Sequence, residues 1–147
     1  MNIDFLKEMG LTAKTKEEIQ FTHPLVLAYI GDAVYEVFVR IYILHQYGGN
    51  VNGLHKLATK FVKAAAQAEI VHLLEPRLTE EEWSIIKRGR NQKSGTTPKN
   101  ANVGDYRYAT GFETLIGYLY LTEQYLRLEE VIKYALEIIE QKETIHE

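Results

Sequence analysis

Two acids in this chain stand isolated among apolar residues. Asp32 lies within FTHPLVLAYIGDAVYEVFVRIYIL (21–44), and Glu113 within YRYATGFETLIGYLYL (106–121). Oxygen donors with no histidine or cysteine beside them suit a hard divalent cation, Mg²⁺ or alternatively Mn²⁺. Such an ion keeps several waters and takes one or two protein carboxylates plus substrate phosphate oxygens. It can activate a water and neutralise charge on a phosphodiester. The plainer alternative is that each acid caps a nearby backbone or meets a basic side chain. Glu36 favours that alternative, because Arg40 follows at the i, i+4 spacing of a helical ion pair. For Asp32, the intervening Glu36 makes Arg40 a poorer partner.

Other chemistries have little material. Ser84 and Ser94 are the only serines, and neither sits in a nucleophile-elbow context. No glycine-rich phosphate loop of the nucleotide-hydrolase type occurs. The five histidines (23, 45, 55, 72 and 146) contain no i, i+4 pair that could chelate zinc from one helix face. With no cysteine, disulfides and thiolate zinc sites are excluded, and an intracellular setting fits better than a secreted one.

The acids must be positioned by helices. One long helix is predicted from about Pro24 to Gln46, with Thr22 as N-cap and Gly48-Gly49 as the stop. It is apolar on almost every side, which predicts burial in the middle of a bundle and makes an unpartnered Asp32 costly there. Thr15/Glu18 and Thr79/Glu82 have capping-box spacing. Asn52 is read as the cap of a helix through LHKLATKFV, on which Lys56, Lys60 and Lys63 project together as a solvated face or a row of phosphate contacts. AAAQAEIVHLLE then runs helical until Pro76. The Glu113 helix begins near Val103 or Tyr106, and RLEEVIKYALEIIEQKE is an amphipathic packing helix. No stretch alternates like a strand, so the expected fold class is an all-α helical bundle. At 147 residues and 46% apolar content, one domain over 1–147 is expected. MNIDFLKEMG is not a signal peptide, and no uncharged run of about 20 residues offers a membrane span, so a soluble cytoplasmic protein is expected.

Charge is unevenly spread. Lys87, Arg88, Arg90, Lys93, Lys99 and Arg107 face the single acid Asp105 between residues 87 and 107, so on a chain of net charge −3 the remainder carries −8. A basic segment on an acidic protein is a localised anion site. Helix-dipole compensation accounts for Lys87 and Arg88 at the end of the helix opened by Thr79. It does not account for NQKSGTTPKNAN (91–102), a long connection rich in the amide, hydroxyl and ammonium groups that suit phosphate and sugar oxygens.

LAYIGDAVYE (27–36) resembles the signature helix of the ribonuclease III family, and GFETLIGYLYL (111–121) resembles that family's second acidic helix. KRGRNQKSGTTPKNANVGDYR (87–107) is similar to the connecting region of its small Mini-ribonuclease III subgroup. The similarity runs over about residues 20 to 125. It implies an all-helical endonuclease domain that acts as a homodimer. Such a domain cuts double-stranded RNA with a divalent cation, leaves 5′-phosphate and 3′-hydroxyl ends, and in bacteria matures the 23S ribosomal RNA precursor. Asp32 and Glu113 take the places of the family's catalytic, metal-holding acids. Lys60, Lys87, Arg88, Arg90, Lys93, Ser94, Thr96, Thr97, Lys99 and Arg107 are the candidate RNA contacts. Three departures accompany the resemblance: further family acids fall on Ala28 and Thr110, and another near Val51 to Gly53. Two carboxylates alone imply weak cation affinity without substrate. With no double-stranded-RNA-binding domain after the catalytic one, grip is expected from the basic connection. A non-catalytic RNA-binding or ribosome-assembly module of the same fold is the alternative reading, and a protein-binding adaptor a more distant one.

Overall fold

The computed structural model describes residues 3–92 and 102–145. Its elements are α1 (Ile3–Glu8), α2 (Lys16–Gln20), α3 (Pro24–Gln46), α4 (Val51–Val62), α5 (Ala64–Leu74), a 3₁₀ turn at Glu75–Arg77, α6 (Glu80–Arg90), α7 (Val103–Leu121) and α8 (Tyr125–Ile145). No strand occurs among the described residues, and the class is all-α as the sequence predicts.

Local chemistry sets most boundaries. Thr15 and Thr79 open α2 and α6 with reciprocal capping boxes to Glu18 and Glu82, satisfying two orphan donors at each helix start. Two expected caps move by one or two residues. The α3 cap is His23, whose Nδ1 accepts from the Leu25 N–H at 3.1 Å, while the Thr22 hydroxyl donates back to the Glu18 carbonyl at 3.0 Å. With Pro24 fixed in the first turn, the imidazole is the side chain that reaches the free amide. Asn50, not Asn52, caps α4 by accepting from Gly53 N–H at 2.9 Å. The α4 and α5 segments are also separate helices, since Lys63 between them is extended (φ −61°, ψ 152°). Lys56 and Lys60 therefore share a helix that Lys63 has left, and the expected row of three is broken.

The central element is α7. Ala109, Gly111, Phe112 and every residue from Thr114 to Leu119 are buried, and α3, α5 and α6 pack around it. A helix enclosed on all sides has to be apolar all round, as this one is. The sequence assigns that place to α3, and the structure corrects it. One side of α3 (Leu27, Gly31, Tyr35, Val39, Ile43) is buried, while Val26, Tyr29, Val37, Ile41 and Leu44 are each more than half exposed. Asp32 is exposed too, so it does not carry the desolvation cost expected of a buried carboxylate.

Two backbone approaches hold α7 in place. A Cβ on Gly31 would lie 1.7 Å from the Glu113 carbonyl oxygen, and one on Gly117 would lie 2.0 Å from the Leu27 carbonyl oxygen. On the other side, a Cβ on Gly89 would lie 2.2 Å from Thr114 Oγ1, and one on Gly111 would lie 2.6 Å from the Ile86 carbonyl oxygen. Thr114 exploits this closeness, its hydroxyl lying 2.7 Å from the Thr110 carbonyl and 3.3 Å from that of Pro24. Farther out, buried Glu82 receives both Arg127 Nε and Nη2 at 2.8 Å, tying the start of α6 to α8.

Because the atoms facing Gly117 are backbone, they cannot step aside for a methyl group. Gly117→Ala is expected to cost about 3 kcal/mol, at the upper end of overpacking effects, as measured by urea unfolding. A loss below about 0.5 kcal/mol would show that α3 and α7 can separate freely.

Candidate active site

The acids meet because of how α3 crosses α7. Gly31 lies on the backbone of Glu113 and Gly117, and the Tyr35 ring meets Phe112 edge-on at 5.0 Å between centroids. These two α3 contacts flank Glu113. Asp32 and Glu36 each follow one of the contacting residues, so both rise from the same edge of the crossing, one helical turn apart. Glu36 is half-buried and accepts from Arg40 Nη2 at 3.0 Å, the i, i+4 pair read from the sequence.

Glu113 is half-buried, and its carboxyl is pushed up to about 9. Burial is the first cause, followed by the charge of Asp32, a hydrogen bond with Asp32, and the charge of Glu36. Tyr35 is raised as well, by burial first and then by Glu113, while its hydroxyl donates to the Phe61 carbonyl at 3.0 Å. Two carboxylates at hydrogen-bond range, one partly desolvated, need either a shared proton or a cation. A hard divalent ion fits that donor set, with Asp32 and Glu113 as the residues that would hold it. Among the described residues no group of three or more histidine, cysteine or acidic side chains is arranged to hold a metal ion.

The positions where the family resemblance implies further acids are filled otherwise. Ala28, one turn before Asp32, is buried against the core at 8% exposure. Thr110 turns its hydroxyl back to the Tyr106 carbonyl at 3.0 Å. Val51 to Gly53 form the first turn of α4, under the Asn50 cap.

The basic candidates divide. Lys60, Lys87 and Arg107 are exposed. Arg88 is half-buried, and its Nη1 donates to the Gln20 carbonyl at 2.6 Å, so part of its guanidinium braces α2 against α6. Arg90 lies over the Tyr108 ring at 5.6 Å, and the same ring meets His72 edge-on at 4.5 Å between centroids. Arg90 thus helps to join the end of α6 to the start of α7. Lys93, Ser94, Thr96, Thr97 and Lys99 lie outside the described residues. Sequence reasoning missed the glycines that place the acids and set Glu36 aside. Gly31, Gly111 and Gly117 inside otherwise apolar helices were the available signal, since glycine there costs helix stability unless close packing needs it.

Residues 25–124 match the family model described as Ribonuclease III domain. The chain belongs to the ribonuclease III family. It is 52% identical over 128 residues to the Mini-ribonuclease 3 of Clostridium tetani, covering 86% of this chain and 85% of that protein. It is 51% identical to the Thermoanaerobacter sp. Mini-ribonuclease 3 (86% and 89% covered), and 40% identical to that of Staphylococcus aureus (84% and 94%). A crystal structure of a Fusobacterium nucleatum protein superposes with a TM-score of 0.73 at 33% identity, covering 82% of this chain and 96% of that one. This ribonuclease III domain is therefore an endoribonuclease, and Asp32, Glu36, Ala28, Thr110 and Glu113 all lie within the matched span.

The raised Glu113 has a consequence for stability. The folded chain keeps a proton that the unfolded chain releases between its ordinary 4.5 and about 9, so stability is fully present below 4.5 and is lost as pH rises toward 9. Glu113→Gln removes that loss. In metal-free buffer at pH 8 the variant is expected to melt about 3 °C above wild type, roughly the effect of 1 kcal/mol in a chain of this size, and to show a flatter pH profile. Equal melting temperatures at pH 5 and pH 8 for both proteins would remove the strained carboxyl from the account.

Proposed function

We propose that this ribonuclease III domain hydrolyses double-stranded RNA, with Asp32 and Glu113 as the ligands of a divalent cation, Mg²⁺ or alternatively Mn²⁺. The supporting observation is the convergence of these two acids at hydrogen-bond range, which forces Glu113 to keep its proton unless a cation takes that proton's place. When bound, the cation supplies charge neutralisation at the phosphodiester and eases the ionisation of nearby water. Asp32 offers its carboxylate from the open edge of α3, while Glu113 is held from below by the Gly31 contact. A water oxygen adds to phosphorus, the bond to the 3′-oxygen breaks, and that oxygen takes a proton. The products carry 5′-phosphate and 3′-hydroxyl ends.

A duplex presents phosphates and 2′-hydroxyls rather than readable base edges, so basic and hydroxyl groups suit it. Lys87 and Arg107, with Lys93, Ser94, Thr96, Thr97 and Lys99 of the connection they bracket, are the proposed contacts. Lys60 is a further one, and Arg88 and Arg90 contribute mainly by bracing. We place the active form as a homodimer. The exposed apolar row Val26, Tyr29, Val37, Ile41 and Leu44 on α3 supports it, and two-fold symmetry would give one centre per strand. The substrate proposed is the 23S ribosomal RNA precursor, and the setting the cytoplasm. Among the described residues no helix is long and apolar enough to cross a membrane.

Asp32→Asn and Glu113→Gln are each expected to slow cleavage of a long RNA duplex in Mg²⁺ by 100-fold or more, on the order seen when one stabilising group is removed, while duplex binding persists. Cleavage at the wild-type rate by either variant would displace that residue from the centre. For the connection, Lys93→Gln with Lys99→Gln is expected to weaken duplex binding and lower the salt slope by about two, near 0.9 per phosphate contact. An unchanged slope would take both lysines out of the interface.

A further inference from the structure

Glu36 is read from the sequence as half of a surface ion pair, and its place in the fold gives it more to do. Gly31 and Tyr35 are the α3 residues whose contacts flank Glu113, and Asp32 and Glu36 follow them at the same angular step. Asp32, Glu36 and Arg40 therefore form a ladder one turn apart along the exposed edge of α3, with Glu113 beside its first two rungs. The ladder is anchored at its far end, where Arg40 Nη2 meets Glu36 Oε1 at 3.0 Å. That contact holds a half-buried carboxylate in one orientation instead of leaving it to sweep through solvent. Glu36 is also, after burial and Asp32, among the causes that push the Glu113 carboxyl upward.

As an ordinary exposed i, i+4 pair, Glu36 and Arg40 would contribute about 0.3–0.5 kcal/mol and affect nothing else. The position argues for a different use. On the preceding turn Ala28 offers no acceptor, so the only other α3 carboxylate within one turn of Asp32 lies on the following turn. We propose that Glu36, oriented by Arg40, is a positioning residue of the cation site, accepting hydrogen bonds from the hydration shell of the ion held by Asp32 and Glu113. This rests on the two-carboxylate reading above. It differs in assigning a third acid that does not touch the ion, which agrees with the absence of a three-ligand cluster among the described residues. Groups in this outer position orient ligands and waters, and their loss commonly lowers metal affinity 10- to 100-fold.

The test uses the intact chain and two readouts: the Mg²⁺ dependence of its melting temperature without RNA, and the Mg²⁺ concentration for half-maximal cleavage. Glu36→Gln is expected to shift both midpoints upward about ten-fold, with the metal-free melting temperature within about 1 °C of wild type. At saturating Mg²⁺ the cleavage rate is expected to recover most of its wild-type value. Arg40→Gln is expected to shift the midpoints in the same direction by a smaller factor, as it leaves the acid in place but unanchored. If Glu36→Gln titrates as wild type does in both readouts, Glu36 is only a surface partner of Arg40 and the inference is overturned. A wild-type chain whose melting temperature ignores Mg²⁺, or an Asp32→Asn chain that still responds to it, overturns the two-carboxylate reading and this inference with it. Wild-type response, Asp32→Asn silence and unaltered Glu36→Gln midpoints together overturn the inference alone.

Discussion

Everything at the candidate site depends on two helices approaching until their backbones touch. At Gly31 and Gly117 no side-chain atom separates α3 from α7, and each glycine faces a carbonyl oxygen of the other helix. Most helix pairs keep their axes about 8–10 Å apart by filling the gap with side chains. Here the filling is withheld at one point, which lets Asp32 reach over the edge of α3 to a carboxyl rising from α7. A wider crossing would leave two unrelated acids. The glycines also expose backbone and weaken both helices locally, and the surrounding layer of Leu27, Tyr35, Phe112, Leu115 and Ile116, all buried, compensates by packing.

The same closeness creates an electrostatic conflict. Glu113 sits partly out of water next to one acid and within the field of another, an arrangement that a protein selected for stability alone would avoid. Elsewhere the chain treats a buried acid differently. Glu82 is more buried than Glu113, yet it is held below the usual carboxylate range, because two Arg127 nitrogens and the Thr79 cap outweigh its desolvation. The contrast between these two glutamates separates an acid that holds the fold together from one whose charge is left for something else to balance.

Much of this could be read from the residues. The capping boxes at Thr15 and Thr79, the span Pro24–Gln46, the Glu36–Arg40 pair and the isolation of Asp32 and Glu113 are all local patterns, and local patterns survive folding. Relations that depend on which helix lies in the middle could not be read. Both acidic helices are apolar on nearly every face, and hydropathy cannot say which apolar faces are covered. It therefore places α3 at the centre and buries Asp32, whereas α7 holds that position and α3 shows one apolar side to the exterior. The caps at His23 and Asn50 were missed because several side chains near each helix start can accept, and only the backbone geometry selects one. The part Arg88 plays depends on a carbonyl 68 residues away, a contact that no window of sequence contains.

The fastening of α6 to α7 bears on how such a domain can change over time. The Arg90–Tyr108–His72 contact, the Gln92 amide on the Arg88 carbonyl and the Asn102 cap fix both sides of the segment 93–101 before it begins and after it ends. The acids meanwhile stand on helices clamped by backbone contact. The contacts that set the α3–α7 crossing come from helices outside that segment, so the spacing of Asp32 and Glu113 is inherited with the glycines rather than with the connection.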